Sequence, residues 1–398
     1  MRALAVFHLA ETSGPSRSLD AELRWLAEHG SLEVVVPGPG HVADRFEDVA
    51  RVTTLDYEAL TLPRDPVAVA RAARREGREH RAFRRLLRER RPELVVIASA
   101  MLPGPLLAAR RERVPAVVYA GELFVGGGRD SGSRAARAAK ALGAAALTRT
   151  VGSLATAVLA CSNTVAAQYR GAAVTTVYPP IGDTYGGGDR EGERARLGIQ
   201  EGEPCIAAVG NITENRGQDV LIAALPIIRR EHPAARCLIV GDPHPRPRDR
   251  AYRDRLAELA RRLGVQDAVT IAGHRERIAD VYAAADLVVN PRLSGEAFGR
   301  VPCEALVAGR PVVAVLEGAV PEVLRDGETA LLVPPGNPEA MAQAATRLLG
   351  DPDLASRLVA EGRRDVLRRF SPERSLAGFK QVVTEATGAA AGQGPAAR

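Results

Sequence analysis

The chain has 398 residues, 46% of them hydrophobic and 26% charged, with a formal net charge of +6. That length suits two ordinary domains, each able to bury its own core. Almost all the positive charge is arginine, with Lys140 and Lys380 the only lysines, so the basicity reads as a GC-rich coding bias and no nucleic-acid partner is expected. No apolar run approaches the ~20 residues of a membrane-spanning helix. The opening MRALAVFHLAE is expected to be a first strand rather than a signal peptide. Cys161, Cys205, Cys237 and Cys303 lie far apart without metal-type spacing, so buried thiols in a reducing cytoplasm are expected, and no metal site.

In chain order, the first half alternates strands and helices. ALAVFHLA is a strand, SGPSRSL turns into the helix LDAELRWLAEHG, and SLEVVVPGPG is a strand ending in a Gly/Pro loop. A short strand at RVTTLDY precedes a long Arg-heavy helix from Val67 to Arg91. PELVVIAS, PAVVYAGELF and TAVLACS are further strands, the second delivering Glu122. GPLLAARRERV and SRAARAAKALGAAALTRTVG are helices, and GGGRDSGS is expected to be a mobile loop. This βα alternation predicts a parallel, doubly wound sheet. The stretch 179–200 is dense in Pro, Gly and charge without apolar period, and is expected to link two domains.

The second half restarts the alternation. CIAAVG, RCLIVGD, AVTIAG, DLVVN, PVVAV and ALLVPP are strands, with helices between them. Asp351-Pro352-Asp353 reads as a turn and cap. Ser371-Pro372 opens a closing helix over 371–386, and 387–398 is an Ala/Gly-rich tail with nothing to bury. Boundaries are therefore expected at 1–178, 179–200, 201–370, 371–386 and 387–398.

Two stretches of the second half carry chemistry. GNITENRGQ (Gly210 to Gln218) stands where a strand turns into a helix, so amides and Arg216 can face an anion. It is neither G-x-G-x-x-G nor a Walker loop, which sets aside dinucleotide and P-loop chemistry; an ordinary βα turn stays open beside phosphate binding. The other is NPRLSGEAFGRVPCEALVAGRPVVAV. Glu296 lies on its loop and Glu304, seven residues between them, one to two turns into the following helix. Carboxylates there suit sugar or ribose hydroxyls, and amides of Phe298 to Val301 suit a phosphate. On spacing alone, the weight falls on a solvated helix residue and a loop charge.

The strings VGNITENRGQDVLIAA, LIVGD, ADLVVNPR, EAFGRVPCEALVAGRPVVA and DGETALLVPPGNPEAMAQA, in this order, resemble the family-4 retaining glycosyltransferases over essentially the whole C-terminal half. The N-terminal half resembles them more loosely, through the Gly14 turn, PELVV, VVYAGEL, TAVLACS and VYPPI. The resemblance implies a GT-B fold: two Rossmann-like domains facing a cleft, with the C-terminal helix returning to the first. It implies an acceptor domain first and a nucleoside-diphosphate-sugar domain second, a metal-independent reaction without cofactor, and front-face transfer with retention to an acceptor hydroxyl or amine. A UDP- or GDP-sugar is the expected donor, and the GC-rich coding with no membrane-spanning run favours a natural-product acceptor over a glycan. By the same resemblance Arg216 meets the diphosphate, Glu304 the ribose, and Glu296 the donor sugar. Gly14, Gly210, Asn211, His274, Phe298, Gly299, Arg300 and Val301 complete the donor site, and Gly318 to Glu322 form a loop beside the sugar.

The chain departs from the family in places. Asn211 stands where many relatives carry arginine, Gly14-Pro15-Ser16 replaces a commoner Gly-Gly, and Tyr119-Ala120-Gly121-Glu122 lacks a frequent histidine. That leaves Glu122 as the polar group at this strand end, a catalytic candidate with Arg216 and Glu296. His8, Ser16 and Arg17 join it as acceptor-side candidates, with a core role equally open for His8. The Arg71–Arg91 segment has no basic-plus-aromatic face, so a solvated helix is expected there rather than a lipid-binding one. Alternative assignments are a nucleotide-sugar epimerase or hydrolase, or a non-catalytic sugar-nucleotide binder.

Overall fold

The chain folds into two units, each on one wholly parallel sheet, in a computed structural model that describes residues 1–11, 13–60, 66–124, 134–244 and 246–391. The first unit holds β1 (Arg2–Val6), β2 (Ser31–Val36), β3 (Arg51–Thr54), β4 (Leu94–Ile97), β5 (Ala116–Ala120), β6 (Ala157–Ala160) and β7 (Ala173–Thr176), in the order β3-β2-β1-β4-β5-β6-β7. The second holds β8 (Cys205–Val209), β9 (Arg236–Val240), β10 (Val269–Gly273), β11 (Leu287–Asn290), β12 (Val312–Val315) and β13 (Leu331–Val333), in the order β10-β9-β8-β11-β12-β13. Strands such as LVVI and VVAV are buried at every position because helices cover both faces of a parallel sheet.

In both sheets the order reverses once, beside β1 and β4 and beside β8 and β11. At such a switch point the loops leaving two neighbouring strands diverge to opposite faces and leave room for a ligand. The second unit's core keeps these loops in place. The helix Gln218–Glu231 lays Leu221, Leu225 and Ile228 along one stripe against Ile206 and Ala208 of β8 and Val289 of β11. Each such side chain contributes about 1.5–3 kcal/mol when fully buried.

The expected linker is folded. The described part of the first unit runs to Pro180 and resumes at Pro372, and the second spans 181–371. Within the supposed linker, Arg190–Leu197 is a helix capped by Asp189, which accepts from the Gly192 amide at 2.9 Å. It shows no apolar period because it docks through arginines. Arg190 donates to the Ala283 carbonyl at 2.7 Å, and Arg194 to those of Ala284 at 3.0 Å and of Gln200 and Glu203 at 2.7 Å. Both pair with Asp286. The Ala283 and Ala284 carbonyls end the helix Ile278–Ala284 and have no partner within it.

Further elements have no counterpart in the sequence reading: β7, the helix Pro352–Arg369 and the short helices His41–Phe46, Asn163–Ala166 and Val320–Val323. The cap read at Asp351 is present: its side chain accepts from the Leu354 amide at 2.9 Å. The last helix, Pro372–Ala391, belongs to the first unit as expected and runs on into the stretch read as a frayed tail. The loop 126–133 and residues beyond 391 lie outside the described residues. The four cysteines are buried and form no disulfide with one another. No described helix is long and apolar enough to cross a membrane.

Candidate functional site

In the second unit the loop after β8 and the loop after β11 flank the switch point and are tied together, the Leu293 amide donating to the Asn215 carbonyl at 2.9 Å. The first loop delivers Arg216 from a short 3₁₀ turn, Glu214–Arg216. Its guanidinium lies over Gly210, where a Cβ would come within 3.2 Å of Cζ, so glycine is what lets the arginine lie flat on the strand end. Burial, and then the like charge of Arg292, pull the Arg216 pKa down to about 10, with Glu296 opposing. Among the described residues its side chain makes no hydrogen bond or ion pair.

The second loop delivers Glu296. Burial disfavours its charge, yet Arg292, Arg216, the Asn290 amide group (3.2 Å) and the Phe298 N–H together hold it below the ordinary glutamate value. Arg292 stands 3.9 Å from its Oε2 and is braced by the Ser294 and Gly295 carbonyls at 2.9 and 2.8 Å. The GAVPE loop comes to the same place: the Ala319 amide donates to the Glu296 carbonyl at 2.8 Å. Gly318 has φ +59°, and a Cβ there would sit 2.3 Å from the same oxygen, which excludes every other residue.

The helix Arg300–Val307 starts at Gly299 and carries Glu304 as its fifth residue. Glu304 is 2% exposed and is held by the hydroxyls of Tyr185 (3.0 Å, Oε1) and Tyr282 (2.8 Å, Oε2) and by Arg300 Nε (3.2 Å, Oε1). Phe298 is buried edge-on against Phe370 at 5.0 Å. Val301 lies in the helix's first turn, half-buried. His274 follows β10, exposed. Asn211 pairs with His244 at 3.2 Å, and burial, then nearby arginines, lower the His244 pKa.

In the first unit the polar candidates gather at the ends of β1, β4 and β5. His8 is half-buried, with Nδ1 buried and unpartnered, and burial lowers its pKa to about 4 against the opposing influence of the Ala98 backbone, so it is neutral at pH 7. Glu122 takes the Ser99 hydroxyl and, at 3.1 Å, the Gly121 amide; burial raises its pKa despite them. Ser16 is spent on structure: it accepts from the Ser13 amide at 2.8 Å and donates to the Ser13 carbonyl at 2.9 Å, capping the helix Gly14–Ser18. Gly14 opens that helix with open space around its Cα, and Arg17 is half-buried with no side-chain ion pair among the described residues.

Two family models match, one described as Glycosyl transferases group 1 over residues 189–365 and one as Glycosyl transferase 4-like domain over residues 13–177. The chain belongs to the family-4 glycosyltransferases. A D-inositol 3-phosphate glycosyltransferase of Nocardia farcinica is 42% identical over 188 residues, 46% of this chain and 41% of that one. A protein of the same name from Streptomyces bingchenggensis is 34% identical over 203 residues, 50% and 44% of the two chains. The chain thus aligns with less than half the length of these relatives. Among solved structures, Anabaena Alr3699/HepE in complex with UDP and glucose superposes with a TM-score of 0.78 at 18% identity, covering 96% of this chain and 98% of that one. Sucrose-phosphate synthase from Thermosynechococcus elongatus gives 0.77 at 21%, covering 98% and 100%. Both share the GT-B fold found here.

The structure adds residues that the sequence did not single out. Arg292 lay inside the quoted ADLVVNPR string and went unremarked. His244 stood just after LIVGD, where a strand-to-helix loop is itself a signal. Tyr185 and Tyr282 gave none, since they reach Glu304 from 119 and 22 residues away.

Proposed function

We propose that the second unit binds a nucleoside-diphosphate sugar and that the chain transfers its sugar, with retention, to a hydroxyl or amine of a small-molecule or glycan acceptor. The observation that most supports this is Arg216. A buried guanidinium that feels the like charge of Arg292, and has no direct partner among the described residues, is costly unless an anion completes it. A diphosphate supplies that anion. As the sugar bond breaks, negative charge grows on the leaving diphosphate, and Arg216, with the first amides of the helix Arg300–Val307, would stabilise it. Glu296, kept ionised by its arginines, would accept hydrogen bonds from donor-sugar hydroxyls, and Glu304 from the ribose. A leaving phosphate oxygen would take the acceptor proton on the same face, so no protein nucleophile and no metal is assigned. The names of the curated relatives add a phosphorylated polyol to the candidate acceptors.

The test is calorimetric titration of UDP-, GDP-, ADP- and dTDP-sugars into the wild-type chain and Arg216→Met. One donor family is expected to bind, with affinity about 100-fold weaker in the variant. Equal binding by both proteins would remove the diphosphate from Arg216. Binding of no donor would overturn the transferase assignment.

A further inference from the structure

The two oxygens of the Glu304 carboxylate are held differently. Oε2 takes the hydroxyl of Tyr282, a fully buried residue of the helix Ile278–Ala284. Oε1 takes the Tyr185 hydroxyl at 3.0 Å and Arg300 Nε at 3.2 Å, while Arg300 Nη2 reaches the Tyr185 oxygen at 3.3 Å. A carboxylate oxygen offers two lone pairs. Both on Oε1 are taken, so another hydroxyl can bind there only by exchange.

Of the two donors on Oε1, Arg300 is fixed one turn away on the same helix. Tyr185 is different. It is half-buried in the irregular stretch between Ile181 and Asp189. That stretch is pinned at both ends: Asp183 pairs with Arg363 at 2.7 Å, and the Asp189 amide donates to Asp280 at 2.8 Å. Gly188 sits so near the Ala279 carbonyl that a Cβ would be 2.1 Å from it. Between the pins lie Gly186 and Gly187, where a Cβ would meet nothing within 4 Å. Tyr185 can therefore swing while its flanks stay anchored.

We infer that the Tyr185 hydroxyl and a vicinal diol of the nucleotide compete for Oε1 of Glu304, so that Tyr185 sets donor affinity. The inference rests on the donor assignment above. Exchange replaces one O–H···O⁻ bond by another, so its cost is the Arg300 Nη2 bond to the Tyr185 oxygen and the edge contact between Tyr185 and Tyr282, whose ring centroids lie 6.1 Å apart. Competition of this kind weakens binding without abolishing it.

UDP, GDP and ADP, and the 2′,3′-dideoxy form of whichever binds, are titrated into wild type, Tyr185→Phe and Glu304→Gln. Tyr185→Phe keeps the ring and loses the donor, so it should bind the ribonucleotide roughly 3- to 10-fold tighter than wild type and the dideoxynucleotide equally. Its melting temperature should fall below wild type without nucleotide and match it at saturation. Tyr185→Leu, which also loses the hydroxyl, should share the gain. Unchanged or weaker ribonucleotide binding in Tyr185→Phe, or an equal gain for the dideoxynucleotide, would overturn the competition alone. If no diphosphate binds, or Glu304→Gln binds like wild type, the donor assignment falls and the competition with it.

Discussion

Glu296 shows how far charges alone define the site. Burial works against its carboxylate, and Arg292, Arg216, Asn290 and the Phe298 amide outweigh it, leaving an ionised group beside two cations. A group placed so can serve the diphosphate by balancing its arginines or serve the sugar by accepting hydroxyls. Glu296→Gln separates the two. With one negative charge gone beside the proposed phosphate site, nucleoside-diphosphate binding should hold within about threefold or tighten. The donor sugar would lose a charge-assisted acceptor, so kcat should fall about 100-fold. Steady-state kinetics with matched calorimetry measures both. Loss of affinity with kcat intact would assign Glu296 to the phosphate side.

At the scale of elements, charge also welds two helices that the sequence reading missed. The helix Arg190–Leu197 docks by Arg190 and Arg194 on helix-end carbonyls, so its residues resemble a solvated linker. The helix Pro352–Arg369 was visible only at its cap, and Asp365 on it is 2% exposed between Arg325 (2.9 Å), Arg368 (2.8 Å) and Arg369 (2.9 Å). Burial opposes the Asp365 charge, but the three arginines hold its pKa below the ordinary value of 3.8. A depressed carboxylate binds fewer protons folded than unfolded, so its contribution is full above the unfolded value and is lost as pH falls through the folded one. Stability of the second unit should therefore decline below about pH 4. Asp365→Asn should flatten that decline and cost about 3 kcal/mol at pH 7, where Arg368 and Arg369 lose their counter-charge and Arg325 keeps only Glu328 and Glu361. Urea unfolding at both pH values measures this; an undiminished acid decline in the variant would place its origin in other carboxylates.

Across the whole molecule, what was legible is what lies contiguous in sequence. The βα alternation, the two switch-point loops and the seven-residue spacing of Glu296 and Glu304 each carry their chemistry in one string. What was not legible, Tyr185 and Tyr282 above all, depends on the chain returning to one carboxylate from a distance. Among the described residues the chain also crosses between units twice, after Pro180 and after Ser371, so its last helix completes the first unit although the preceding helix belongs to the second. Phe379 on that last helix is fully buried, with Trp25 edge-on at 6.5 Å, and nearby Ser375 donates to Glu22 at 2.6 Å. Phe379→Ala should cost about 3–5 kcal/mol, all of it in the first unit. Faster hydrogen exchange at the amides of β1, β5 and β6 would report it. The proposed nucleotide site is built from second-unit residues alone, so UDP or GDP affinity should stay within about twofold in the variant. A parallel loss of affinity would mean that part of the nucleotide's binding energy comes from the first unit, and Glu122 and Arg17 would be the first residues to examine for it.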